Sequence, residues 1–208
     1  MRILFQGDSI TDCGRNRDNI KSLGGGYPRY VAELLRETYL DMKFEFINKG
    51  ISAHQTKDLL ARWQEDAVSL DPDIITILIG VNDTWHHISK GDFIPNELFE
   101  SNYRKLLSDI KNKTKAKIVM LEQFVLDFPD MERFHPDIEE KIRIVRRLAR
   151  EFADVFVPLD GIFASACVVQ PPEYWTKEGV HPTEEGHRLI ADYCYNAICD
   201  LIDINGLK

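Results

Sequence analysis

What this chain has little of narrows its class first. No apolar run approaches the roughly 20 residues needed to cross a bilayer. Met1-Arg2 leads straight into an apolar segment, without a separate leader stretch and small-residue cleavage site, so a cytoplasmic location is the expectation. Basic residues are outnumbered, 26 Lys and Arg against 34 Asp and Glu, which leaves a net charge of −8. Non-specific binding to nucleic acid or to an anionic membrane surface needs a basic patch, so neither is expected. Cysteine is sparse: Cys13, Cys167, Cys194 and Cys199 show no CxxC spacing. All four are read as free thiols, which suits an intracellular protein. The run Gly24-Gly25-Gly26 has no Lys-Ser or Lys-Thr after it and no strand directly before it, so it is a flexible turn rather than a phosphate loop. The histidines form no HxxxH pair. Adjacent His86 and His87 point apart, so with His54 and His135 they read as pocket wall or solvated loop. No metal site is expected from them.

What remains is globular: 44% hydrophobic and 29% charged. No repeat, low-complexity run or linker divides the chain, and 208 residues suit a single domain, 1–208, with a sizeable core. Apolar runs and helical spacings alternate along it. Residues 3–5 form a buried strand that stops at Gly7, followed by a polar, Gly-rich loop from Thr11 to Gly26. Tyr27-Pro28 opens a helix. Residues 43–48 form a second strand, and Thr56 caps a helix running to about Ser69. Residues 74–79 are the most apolar run and a central strand, broken at Gly80. A polar and aromatic loop with Trp85, His86 and His87 follows. Then come a helix over 95–113, a strand over 117–121, a Phe-rich loop over 123–135 and a helix over 136–152. A strand over 155–157, a short helix over 159–167 and a last helix over 183–202 complete the chain. Strand and helix thus alternate five times, which gives an α/β parallel sheet with helices on both faces.

Three strand ends carry residues with chemical uses: Gly7-Asp8-Ser9-Ile10, Gly50, and Gly80-Val81-Asn82-Asp83. In a parallel sheet they share one edge, where ligands bind. Near the C-terminus comes Glu178-Gly179-Val180-His181-Pro182. A serine hydroxyl needs a base to become a nucleophile, and imidazole suits that task. Ser9 and His181 take these roles, with Pro182 holding His181 extended. Glu178, three residues earlier, can turn back to the far imidazole nitrogen. Otherwise Glu178 points to solvent and another group orients His181. The N–H groups of Ser9 and Gly50 and the side-chain amide of Asn82 are the expected oxyanion donors. Cys13 lies close enough to Ser9 to be a rival nucleophile, though a small buried thiol is the plainer reading.

These four blocks resemble those of the SGNH (GDSL-type) hydrolases, and the resemblance runs from the first strand to the last helix. The extended strings Gly7 to Arg15 and Asn82-Asp83-Thr84-Trp85 are most similar to carbohydrate-directed or intracellular acyl esterases of that family. The resemblance implies a three-layer flavodoxin-like fold with five parallel strands in the order 2-1-3-4-5. It implies ester hydrolysis through an acyl-enzyme on Ser9, with His181 as base and no cofactor. One residue departs: the family has Asp where this chain has Glu178. The expected substrate is a short acyl ester, acetyl foremost, on a small molecule or carbohydrate. Asp8, Arg15 and Trp85 are candidate substrate contacts, Trp85 by stacking on a sugar or covering an acyl chain. The rivals are a lysophospholipase or thioesterase using Phe124, Phe128, Met131 and Phe134 as a longer acyl pocket, and a non-catalytic binding protein on the same fold. A flavodoxin-like cofactor carrier fits poorly, since Asp8 and Asp12 would face a phosphate.

Overall fold

A computed structural model describes residues 1–204. Five strands form one sheet: β1 (Arg2–Gly7), β2 (Glu45–Asn48), β3 (Ile74–Leu78), β4 (Lys117–Leu121) and β5 (Val155–Val157). All pairings are parallel and the order is β2-β1-β3-β4-β5. The central strand β3 is buried at every residue, as a strand covered on both faces must be. Alternate side chains feed two cores. Ile3 and Phe5 of β1 face a layer that includes α2 (Tyr27–Thr38) and α10 (Glu184–Ile204). Leu4, Ile75 and Ile77 face a layer built on α3 (Thr56–Ala61), α6 (Asn96–Lys113) and α7 (His135–Phe152). Two short helices, α8 (Leu159–Ala166) and α9 (Pro172–Trp175), lead into the last loop.

Three stretches differ from the sequence reading. The helix expected over 56–69 is broken at Arg62 into α3 and α4 (Trp63–Asp66), followed by a 3-10 turn, Val68–Leu70. Arg62 stands at the break because its guanidinium is drawn to Gln6, 3.1 Å away, and Asp66, 3.1 Å away. The cap of α3 is Gln55, not Thr56. Gln55 N–H donates to Asp58 at 2.9 Å, while the Thr56 hydroxyl is spent elsewhere. The loop after β3 is a helix, α5 (Val81–Lys90), closed by Gly91 in the left-handed region. Its sequence signals were an acid in the first turn, basic residues in the last and a glycine just past the end.

Candidate active site

β1 delivers Ser9. The strand ends at Gly7, where a Cβ would come within 2.3 Å of both Leu78 O and Thr11 Oγ1. Only glycine lets the chain turn this tightly between β3 and the short helix α1 (Ser9–Asp12). Asp8 caps that helix and accepts from Ile10 N–H at 3.1 Å. It is buried, and burial pushes its carboxyl up to about 7. Asp8 is therefore a cap beneath the nucleophile and not a substrate contact. Ser9, the first residue of α1, puts its Oγ 2.9 Å from His181 Nε2.

The loop before α10 delivers His181. Lys177 N–H donates to His181 O at 2.9 Å, and Thr176 bridges to Pro182. Leu126 N–H donates to Gly179 O at 2.8 Å and ties the loop to the segment after β4. Glu178 Oε1 accepts from His181 N–H at 3.0 Å and also pairs with His181 Nδ1. Hydroxyl, imidazole and carboxylate thus stand in series, with the glutamate reaching the nitrogen that the sequence assigned to it. The extra methylene is absorbed because the same oxygen holds the histidine backbone and ring together.

The donor side differs. Asn82, near the start of α5, sends its amide to His54 O at 3.1 Å, and one Nδ2 hydrogen remains. Asp83 beside it accepts from Thr56 N–H at 3.0 Å and Thr56 Oγ1 at 2.6 Å. These bonds clamp the start of α5 to the loop after β2. Burial pushes the Asp83 carboxyl up to about 6. Gly50 is not the donor that the sequence suggested. Its N–H is buried and committed to Asn48 Oδ1 at 2.8 Å, and its carbonyl accepts from Arg15 Nε at 2.9 Å. Its glycine identity has another cause: a Cβ would meet Asp12 N at 2.4 Å. Three residues on, Ala53 is exposed and holds φ at 68°. Among the described residues its N–H has no protein acceptor. It lies between Ser52, which lines the Ser9 cavity, and His54, which is bonded to Asn82.

Two other expected contacts move away from the site. The Arg15 side chain is nearly buried and serves Gly50 O and Asp12, because α1 and the loop after β2 close over it. Trp85 packs on Phe134 with the rings tilted by 32° and their centroids 5.0 Å apart. It lines a separate depression of about 610 Å³ with the turn over 129–134. Phe124, Met131 and Phe134 are core residues and do not line the Ser9 cavity. The histidines are dispersed: His54 meets Arg62, His87 meets Asp137 and His135 meets Asp127.

The cavity around Ser9 and His181 measures about 440 Å³, and its walls include Ile10, Cys13, Gly14, Ser52 and Lys177. His187 stands behind Cys13, its Nε2 3.4 Å from the sulfur. Tyr27 N–H donates to His187 Nδ1 at 3.2 Å, so the proton sits on Nε2 and the ring cannot serve the thiol as a base. Burial pushes the Cys13 thiol up and holds His187 down at about 4. Cys13 is wall and not a second nucleophile.

A serine within hydrogen-bond reach of a histidine at the carboxyl edge of a doubly wound parallel sheet marks the class: a carboxylic ester hydrolase. Within that class the chain belongs to the GDSL-like lipase/acylhydrolase family, whose model matches residues 5–189. An acetylxylan esterase of Geobacillus stearothermophilus is 32% identical over 198 residues, covering 91% of this chain and 90% of its own. The solved structure of that organism's acetylxylan esterase Axe2 superposes with a TM-score of 0.86 at 31% identity, covering 95% of this chain and 93% of its own. A protein of Parabacteroides merdae described as a GDSL-like lipase superposes with a TM-score of 0.89 at 35% identity, over 100% of this chain and 96% of its own. Serine, aspartate and histidine variants of Axe2 are each described as catalytic mutants. Its aspartate lies three positions before its histidine, the spacing of Glu178 and His181, and a tryptophan immediately precedes that aspartate.

Proposed function

We propose that this chain removes short acyl groups, acetyl foremost, from carbohydrate esters by way of an acyl-enzyme on Ser9. The observation that carries the short-acyl reading is the cavity itself. Its walls are mostly small or polar, with Ile10 and Pro182 as the apolar members, and Phe124, Phe128, Met131 and Phe134 all lie outside it. The carbohydrate half of the reading is supported by the acetylxylan esterase relatives. The four free cysteines support a cytoplasmic, reducing location.

In this mechanism Ser9 Oγ attacks the acyl carbon and its proton passes to His181 Nε2, while Glu178 steadies the imidazolium. The carbonyl oxygen becomes an oxyanion facing the Ser9 N–H, the free Asn82 amide hydrogen and the Ala53 N–H, which takes the place first given to Gly50. Collapse breaks the ester C–O bond, and His181 returns the proton to the leaving alcohol oxygen. Water, deprotonated by His181, then attacks the acyl-enzyme. The second collapse breaks the bond to Ser9 Oγ, which takes the proton back from His181 as the carboxylic acid is released.

A p-nitrophenyl ester series from acetyl to dodecanoyl tests the reading, with acetyl or butyryl giving the highest kcat/KM. A maximum above about eight carbons would sink the short-acyl pocket. Labelling of Ser9 by a fluorophosphonate, read by intact mass, separates an esterase from a binding protein: folded protein that stays unlabelled is not a serine hydrolase.

A further inference from the structure

Lys177 lines the Ser9 cavity and takes no part in the hydrolytic relay. Its backbone N–H is bonded to His181 O at 2.9 Å, which fixes the residue beside the base. Its side chain is exposed, and among the described residues no carboxylate lies within ion-pair distance of its ammonium. The acids at the cavity are already engaged. Glu178 holds His181, and Asp12 accepts from Arg17 at 2.6 Å and from Ser52 N–H and Oγ at 3.0 Å each. The charge of Lys177 reaches Cys13, where burial has the larger effect on the thiol and Asp12 acts against Lys177 and Arg29. Arg29 pairs loosely with Glu33 at 3.9 Å and lies over the Tyr30 ring, 4.5 Å from its centroid. Lys177 is therefore a cation at the mouth of the site with no carboxylate paired to it among the described residues, on a protein of net charge −8. A cleft focuses such a field onto whatever enters it.

We propose that Lys177 selects esters whose alcohol half carries a carboxylate, an acylated acidic sugar, over their neutral counterparts. The inference rests on the esterase reading of Ser9 and His181. The alcohol half is singled out by geometry. His181 must hand a proton to the leaving oxygen, so the departing alcohol lies against the His181 loop, and Lys177 is bonded to that loop. The acyl half sits over Ser9 and the oxyanion donors, away from it. Axe2, an acetylxylan esterase, has a tryptophan in the corresponding place, immediately before its aspartate. This chain puts a flexible point charge there.

The test compares acetate release from a monoacetylated methyl glucuronoside with release from its uncharged methyl ester, and succinate release from a methyl glucoside hemisuccinate with acetate release from the matching acetate. The acidic sugar is preferred by roughly three- to tenfold in kcat/KM, chiefly through KM, and the preference shrinks as salt is added. Lys177→Arg keeps the preference, Lys177→Met brings the ratio to about one and Lys177→Glu inverts it. The hemisuccinate, with its charge on the acyl half, gains nothing over its acetate. Equal rates on the two sugars in the wild-type protein, a preference that survives Lys177→Met, or a preference for the hemisuccinate overturns the assignment while leaving the esterase intact. No turnover of any ester together with an unlabelled Ser9 overturns the esterase reading, and the lysine assignment with it.

Discussion

A glutamate in place of the family's aspartate changes reach by one methylene, and the structure shows how that slack is taken up. One oxygen of Glu178 serves both the backbone N–H and Nδ1 of His181. Glu178→Asp shortens the arm but keeps the charge, and it retains measurable turnover. Glu178→Gln keeps the length and loses the charge, so kcat falls by on the order of 10² or more, yet by much less than in Ser9→Ala. Steady-state kinetics on p-nitrophenyl acetate separate the three. Unchanged kcat in Glu178→Ala would leave a Ser–His dyad instead of a triad.

Gly50 and Ala53 form a second contrast at this scale. Gly50→Ala forces a Cβ toward Asp12 N and Thr11, and overpacking of this kind costs about 1–3 kcal/mol in urea unfolding. Ala53→Gly relieves a left-handed alanine but adds backbone entropy, so its stability stays within about 1 kcal/mol of wild type. In a crystal structure of the phosphonylated Ser9 adduct, the phosphoryl oxygen lies about 2.7–3.1 Å from Ala53 N. Contact with Gly50 N instead would restore the donor set read from the sequence. The site was thus half legible. The series Ser9, His181 and Glu178 was legible because each proposed role demands a particular side chain. An oxyanion donor is a backbone N–H, and any residue type carries one. Whether it is free depends on a bond such as that from Gly50 to Asn48, which no spacing reveals.

At the scale of elements, the position of Asn82 depends on how α5 is seated. The buried bonds from Thr56 to Asp83 join the start of α5 to the start of α3. Thr56→Val removes the hydroxyl donor and leaves a buried carboxyl short of a partner, at a cost of about 1–3 kcal/mol. Loosening the clamp also lowers kcat while KM changes little, because an oxyanion donor acts in the transition state. A variant that loses stability with kcat intact would show that the clamp serves folding alone. The strands were readable as apolar runs. Helix α5 was not recognised because its polar and aromatic composition resembled a loop, although its terminal signals were present. The break at Arg62 had no local signal, since Gln6 comes from β1 and meets Arg62 only in the folded chain.

At the scale of the whole molecule, three buried groups with large shifts contribute to how stability follows pH. Asp8 and Asp83, lifted to about 7 and about 6, hold protons in the folded state that the unfolded chain has released. Their contribution is fully present below the ordinary carboxylate range and is lost as pH rises through those values. His187, held down at about 4, works the other way: its contribution is present above the ordinary imidazole range and is lost as pH falls toward 4. Between about pH 4 and 7 the two effects oppose and flatten the profile. Asp8→Asn keeps the acceptor for Ile10 and removes one titration, so its stability relative to wild type rises across that window. Urea unfolding at steps of pH reads the difference, and a constant gap would show that Asp8 keeps an ordinary carboxylate pKa.

The sequence by itself determined the sheet class, its strand order through family resemblance, and the three side chains, Ser9, His181 and Glu178, that the fold brings into hydrogen-bonded series. Apolar runs, helical periods and nucleophile–base–acid chemistry are properties of residue type and spacing. Tertiary structure alone decided that Asp8 and Arg15 are buried supports, that Trp85 belongs to a neighbouring depression, and, among the described residues, which backbone amide lacks a protein acceptor and that Lys177 has no ion-pair partner at the mouth. Those outcomes turn on which groups find partners across 30 to 170 positions of sequence separation, roughly the spans from Arg15 to Gly50 and from Ser9 to His181. A polar group's availability is what remains after folding has satisfied the rest.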